Sequence, residues 1–135
     1  MKRRDDPEIV AWFAKVADDL RIARLALDDV PPVIDPACFH AQQAAEKALK
    51  ALMAAIGLEV PRTHDVVALV KVLSGELPDI VALREAVASV SPFAVSTRYP
   101  FLAVNASADE AREALRHAYT VVAWIEARLA SPSEE

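Results

Sequence analysis

The stretch "CFHAQQAAEKALKALMAAIG", Cys38 to Gly57, decides the fold. Its alanines and leucines recur at helical spacing, no proline interrupts them, and a glycine closes the run. On a wheel of about 100° per residue, Ala41, Ala44, Ala45, Ala48, Leu49, Ala51, Leu52, Ala55 and Ile56 cover one side. His40, Gln43, Glu46, Lys47 and Lys50 gather on the other, within an arc of about 120°. Two readings of that polar side compete. As a solvated face it needs nothing beyond the Glu46–Lys50 pair at i,i+4, which any surface helix can use. As a working surface it offers a histidine and two glutamines beside Lys47. That mixture of donors and acceptors suits a polar ligand or a self-complementary dimer face.

Working outward, the neighbouring segments are helical too. Asp6-Pro7 is a helix start, and Trp12, Val16, Leu20, Ala23 and Leu27 mark a first helix from about Pro7 to Asp29. "VPPVIDP" breaks the chain, and the second helix starts near Pro36 and ends at Gly57. Thr63 is read as the cap of a third helix with Val66, Val67, Leu69, Val70 and Leu73 on its apolar positions and Gly75 at its end. A fourth runs from Asp79 to about Val90. A long connection, Ser91 to Ser107, follows, and such connections are often functional. Ser107 and Glu110 form a capping box, opening a last helix from about Ala108 to Leu129. The expected fold is therefore all-α: an up-and-down four-helix bundle with one additional short helix, five helices in total. One domain over residues 1–135 is expected, with its core at about 7–130 and a frayed tail at 131–135.

Composition agrees. The chain has 135 residues, 54% of them hydrophobic and 26% charged, with only two glycines. No apolar run reaches the roughly 18 residues of a membrane-spanning helix, and the basic start "MKRRDDPEIV" lacks the apolar centre of a signal peptide. A cytoplasmic location is the expectation. The net charge of −5 confines any nucleic-acid contact to a local patch. Cys38 reads as a small buried hydrophobe, and one Cys with three scattered His does not make a metal site. No cofactor is expected. After the second helix, "PRTHD" places Arg62 and His64 beside a helix N-terminus, where an anion such as phosphate can be received.

Taken in order, "CFHAQQAAEKALKALMAAIG", "PRTHDVVALV", "STRYP" and a last helix ending "VVAWIEARL" resemble the HEPN family, whose name denotes nucleotide-binding domains of higher eukaryotes and prokaryotes. The likeness runs from Trp12 to Leu129, and "TRYP" is similar to the branch with an Arg-Tyr-Pro element before the last helix. The resemblance implies a helical bundle that is commonly a homodimer. It also implies a partner, a minimal nucleotidyltransferase, in a toxin–antitoxin-like or split-enzyme pair. The expected function is nucleotide or RNA binding, with His40, Gln43, Lys47, Arg62, His64, Arg98 and Tyr99 as the ligand surface. Arg98 can fork onto phosphate and Tyr99 can stack on a base. Many members of the family are metal-independent ribonucleases, and "REALRHAY" matches their motif with Arg112, His117 and Tyr119 as the candidate catalytic residues. Five residues along a helix is about 500°, so Arg112 and His117 point about 140° apart. A ribonuclease toxin is thus one alternative. A non-catalytic dimerisation or interaction module is another.

Overall fold

The computed structural model describes residues 1–94 and 105–130. Helix α1 spans Pro7–Asp28, α2 Ile34–Ala55, α3 Val66–Ser74, α4 Arg84–Val90 and α5 Ala108–Leu129. Two 3-10 segments, Pro78–Leu83 and Ser91–Phe93, flank α4. Among the described residues the architecture is the expected all-α one, with five α-helices and no strand.

The helix ends follow local chemistry. Asp6 caps α1 by accepting from the Glu8 amide at 2.9 Å, with Pro7 in the first helical position. The Ser107–Glu110 capping box is present in both directions, at 2.9 and 3.0 Å. Gly57 turns the chain out of α2 with φ +82°, a backbone that favours glycine. Three expectations change. The second helix begins at Ile34 rather than near Pro36, because a proline in the first turn removes only an amide that has no helical partner. Asp65, not Thr63, caps α3 by accepting from the Ala68 amide at 3.1 Å; Thr63 accepts instead from the Asp65 amide. The fourth helix is not continuous from Asp79. Its first part winds at three residues per turn, which puts Ile80 and Leu83, both buried, on one line toward the core.

Helix α2 is the central element. It packs along α1 on one side and α5 on the other, while α3 and α4 complete the bundle against α2 and α5. Small alanines, Ala41, Ala44, Ala45, Ala48 and Ala51, are fully buried along α2 and let its neighbours approach closely. Leu49, Leu52 and Met53 fill the centre with Ile9, Leu69, Leu73, Ile125 and Leu129. The first residues form a strap across the bundle end. The Lys2 amide donates to the Ala55 carbonyl and the Arg4 amide to the Leu129 carbonyl, both at 2.8 Å, so the last turns of α2 and α5 gain partners they would otherwise lack. The Arg4 guanidinium lies 4.2 Å from the centre of the Phe13 ring and donates to Glu126. Among the described residues no helix is long and apolar enough to cross a membrane.

Candidate functional site

The polar side of α2 is not a solvated face. Gln42, Glu46 and Lys50 are 0, 3 and 8% exposed, and a fourth buried polar residue, Asp19 of α1 at 5%, faces the same helix. Buried charges persist only when paired and hydrogen-bonded. Here every buried side-chain nitrogen and oxygen among the described residues has a partner.

Two carboxylates organise the face. Asp19 receives His40 Nδ1 at 2.8 Å on one oxygen and Lys47 Nζ at 2.6 Å on the other. Glu46 receives Lys50 Nζ at 2.9 Å, Gln42 Nε2 at 3.2 Å and Gln43 Nε2 at 3.3 Å. It also holds His64 Nδ1, at 3.1 and 3.2 Å from its two oxygens. Burial pushes the Glu46 carboxyl up, but hydrogen bonds from Lys50, Gln42 and His64, with the Lys50 charge, outweigh it and hold the group below its ordinary range. Gln42 completes the arrangement by donating to the His64 carbonyl at 3.1 Å and accepting from Gln43 Nε2 at 2.7 Å.

The result is two oriented imidazoles. An ionised carboxylate only accepts, so Nδ1 of each ring carries the proton and Nε2 is turned away from the acid. Neither Nε2 has a hydrogen-bond partner among the described residues. The side chains of His40 and His64 are 26 and 50% exposed, so both rings reach solvent from a buried footing. Phe39 meets the His40 ring edge-on at 5.3 Å.

Of the residues expected from the sequence, His40, Gln43, Lys47 and His64 are brought onto this one face. Arg62 is exposed two residues before His64 and has no ion pair among the described residues. Arg98 and Tyr99 lie outside the described residues. On α5, Arg112 pairs with Asp109 at 3.0 Å, whereas His117 Nε2 lies 3.4 Å from Glu113. Glu113 also pairs with Arg116, whose Nη2 is 3.4 Å from His117 Nε2. Tyr119 accepts from Arg24 Nη1 at 2.7 Å. No described hydrogen bond joins Arg112 to His117. Cys38 is buried, and burial pushes its thiol up to about 11, which keeps it protonated and inert.

Asp19 is the residue that sequence reasoning missed. The signal was present: Asp19 falls between Val16 and Ala23 at spacings of three and four, on the apolar stripe of α1 rather than off it. A charge on a buried stripe calls for a partner on the facing helix.

Comparison with known proteins adds a family and two structures. The HEPN domain family matches residues 9–128. The solved structure of TT1696 from Thermus thermophilus is 33% identical and superposes with a TM-score of 0.71, covering 88% of this chain and 96% of that one. ST0689, described as an archaeal HEPN homologue, is 25% identical with a TM-score of 0.69, covering 96% of this chain and 99% of that one. Among curated proteins none matches.

Proposed function

The chain belongs to the HEPN family, and from that premise we propose that it binds the phosphate of a nucleotide or RNA on the polar face of α2, working beside a minimal nucleotidyltransferase. The observation that carries the binding half is the pair of imidazoles held through Nδ1 by buried carboxylates, with Nε2 outward. With neutral rings, Asp19, Glu46, Lys47 and Lys50 cancel in charge. A doubly protonated imidazole donates from both nitrogens, so a ring anchored through Nδ1 on a buried carboxylate can turn a second N–H, at Nε2, toward an arriving phosphate. Each ring then donates from Nε2 to a phosphate oxygen, a charge-assisted bond of the stronger kind. Gln43 and the exposed Arg62 extend the surface. The family resemblance carries the other half, a homodimer paired with the nucleotidyltransferase, and with it the ligand role proposed for Arg98 and Tyr99.

The test is titration of the protein with a fluorescent ATP analogue and with a short single-stranded RNA, using wild type, His64→Ala and His40→Ala. Binding should weaken by roughly tenfold in each variant, the loss of one charge-assisted bond. Affinities unchanged by both substitutions would remove α2 as the site. RNA cleavage in EDTA that is lost in His117→Ala but kept in His64→Ala would assign the activity to Arg112, His117 and Tyr119 on α5. Co-purification with the nucleotidyltransferase tests the partner.

A further inference from the structure

Helix α3 presents a problem that the α2 face does not solve. Its sequence, VVALVKVLS, is apolar nearly all round. A helix of that kind belongs in an interior. Yet only Val66, Leu69, Val70 and Leu73 are buried, and Val67 remains 49% exposed at the surface. Across from it, on the segment leading into α4, Val81 is 43% exposed. Between them runs a half-open groove of about 530 Å3, with Val70 and Val87 on its floor. That volume lies within the roughly 300–1,000 Å3 of ligand-binding clefts.

The rim is not neutral. Lys71 and Arg84 stand on it with a single acid, Glu85. Among the described residues, seven lysine and arginine side chains elsewhere pair with carboxylates, Lys2, Arg4, Lys47, Lys50, Arg112, Arg116 and Arg128, while Arg62 and a few others on the surface do not. Lys71 and Arg84 have no ion pair among the described residues. In a chain of net charge −5, two cations against one acid beside an apolar trough leave this rim with a net positive charge.

We propose that the α3–α4 groove is a docking site for an amphipathic helical segment of another protein, one that seats two apolar side chains in the trough and sets carboxylates against Lys71 and Arg84. Nine residues of α3 make a wall about 14 Å long, which matches apolar anchors at i and i+4 and one further turn. The charges on the rim select the acidic partner and speed its arrival, and the valines supply the contact area. This site is separate from the α2 face and does not depend on the function assigned there.

The experiment uses a fluorescein-labelled helical peptide of about 14 residues with leucines at i, i+4 and i+7 and glutamates flanking them, with a twin carrying lysines in place of the glutamates. Anisotropy is read against the full-length protein. The acidic peptide should bind and the basic twin should bind at least about tenfold more weakly. Lys71→Glu with Arg84→Glu should reverse that preference, and Val81→Ser, an exposed change that leaves the fold intact, should weaken the acidic peptide. Equal binding of both peptides, or no effect of Val81→Ser and the charge reversals, overturns the proposal. Self-association of the free protein that Val81→Asp abolishes would also overturn it, because the groove would then belong to a second copy of this chain.

Discussion

Removing the Glu46 carboxylate should expose how much of the bundle rests on it. In Glu46→Leu, Lys50 is left as a buried ammonium without its carboxylate, and the Gln42, Gln43 and His64 donors lose the oxygen they share. Breaking a buried pair from one side costs about 3–5 kcal/mol, chiefly because the remaining charge stays desolvated. With a urea slope of about 2 kcal/mol/M for a chain of this size, the midpoint should fall by about 2 M. The double variant Glu46→Leu, Lys50→Leu removes both charges and should recover at least half of that loss, since an apolar pair of similar volume is often as stable as the ion pair. Urea melts of the wild type, both single variants and the double variant measure the coupling directly. The pH dependence has a definite sign. The Glu46 carboxyl is depressed in the folded state, so its stabilisation is present above the ordinary glutamate range, about pH 4.3, and is lost as pH falls through the depressed value. The gap between wild type and Glu46→Leu should therefore narrow in acid. A single variant that loses less than about 1 kcal/mol, or a double variant that loses the sum of the two singles, would refute the reading of this cluster as one coupled network.

Three further outcomes are expected. Asp19→Asn should lower stability by about 1–3 kcal/mol in urea melts, because a neutral amide cannot replace the charge-assisted bonds to His40 and Lys47. Ser107→Ala should cost about 1 kcal/mol through loss of the cap of α5, again in urea melts, with Ser107→Gly nearer to wild type. Gly57→Ala should destabilise by about 1 kcal/mol from backbone strain alone, since a Cβ there meets no atom within 4 Å; thermal melts that show no loss would contradict it.

How much of this was legible in the sequence differs by element. Helices α1 and α5 were readable to within a residue because Asp6-Pro7 and Ser107–Glu110 are strong local signals. The start of α2 and the winding before α4 were not. Pro36 looks like a boundary yet is tolerated in a first turn, and the 3-10 path through Ile80 and Leu83 is chosen by burial against other helices. The polar arc of α2 was visible, but its meaning was not. Helical periodicity reports which residues share a side, and it is silent on what covers that side. Only the packing of α1 and the connection before α3 shows that Glu46 and Lys50 are interior and that His40 and His64 stand at the edge.

The strap at the bundle end also fixes an order of events. The Arg4 amide and the Leu129 carbonyl it bonds are 125 residues apart. At a synthesis rate of about 5–20 residues per second, the start of the chain waits roughly 6–25 s for that partner to be made. The α1–α2 hairpin has its own contacts well before then, so the clip between the first turn and the last closes an assembly that is already largely built.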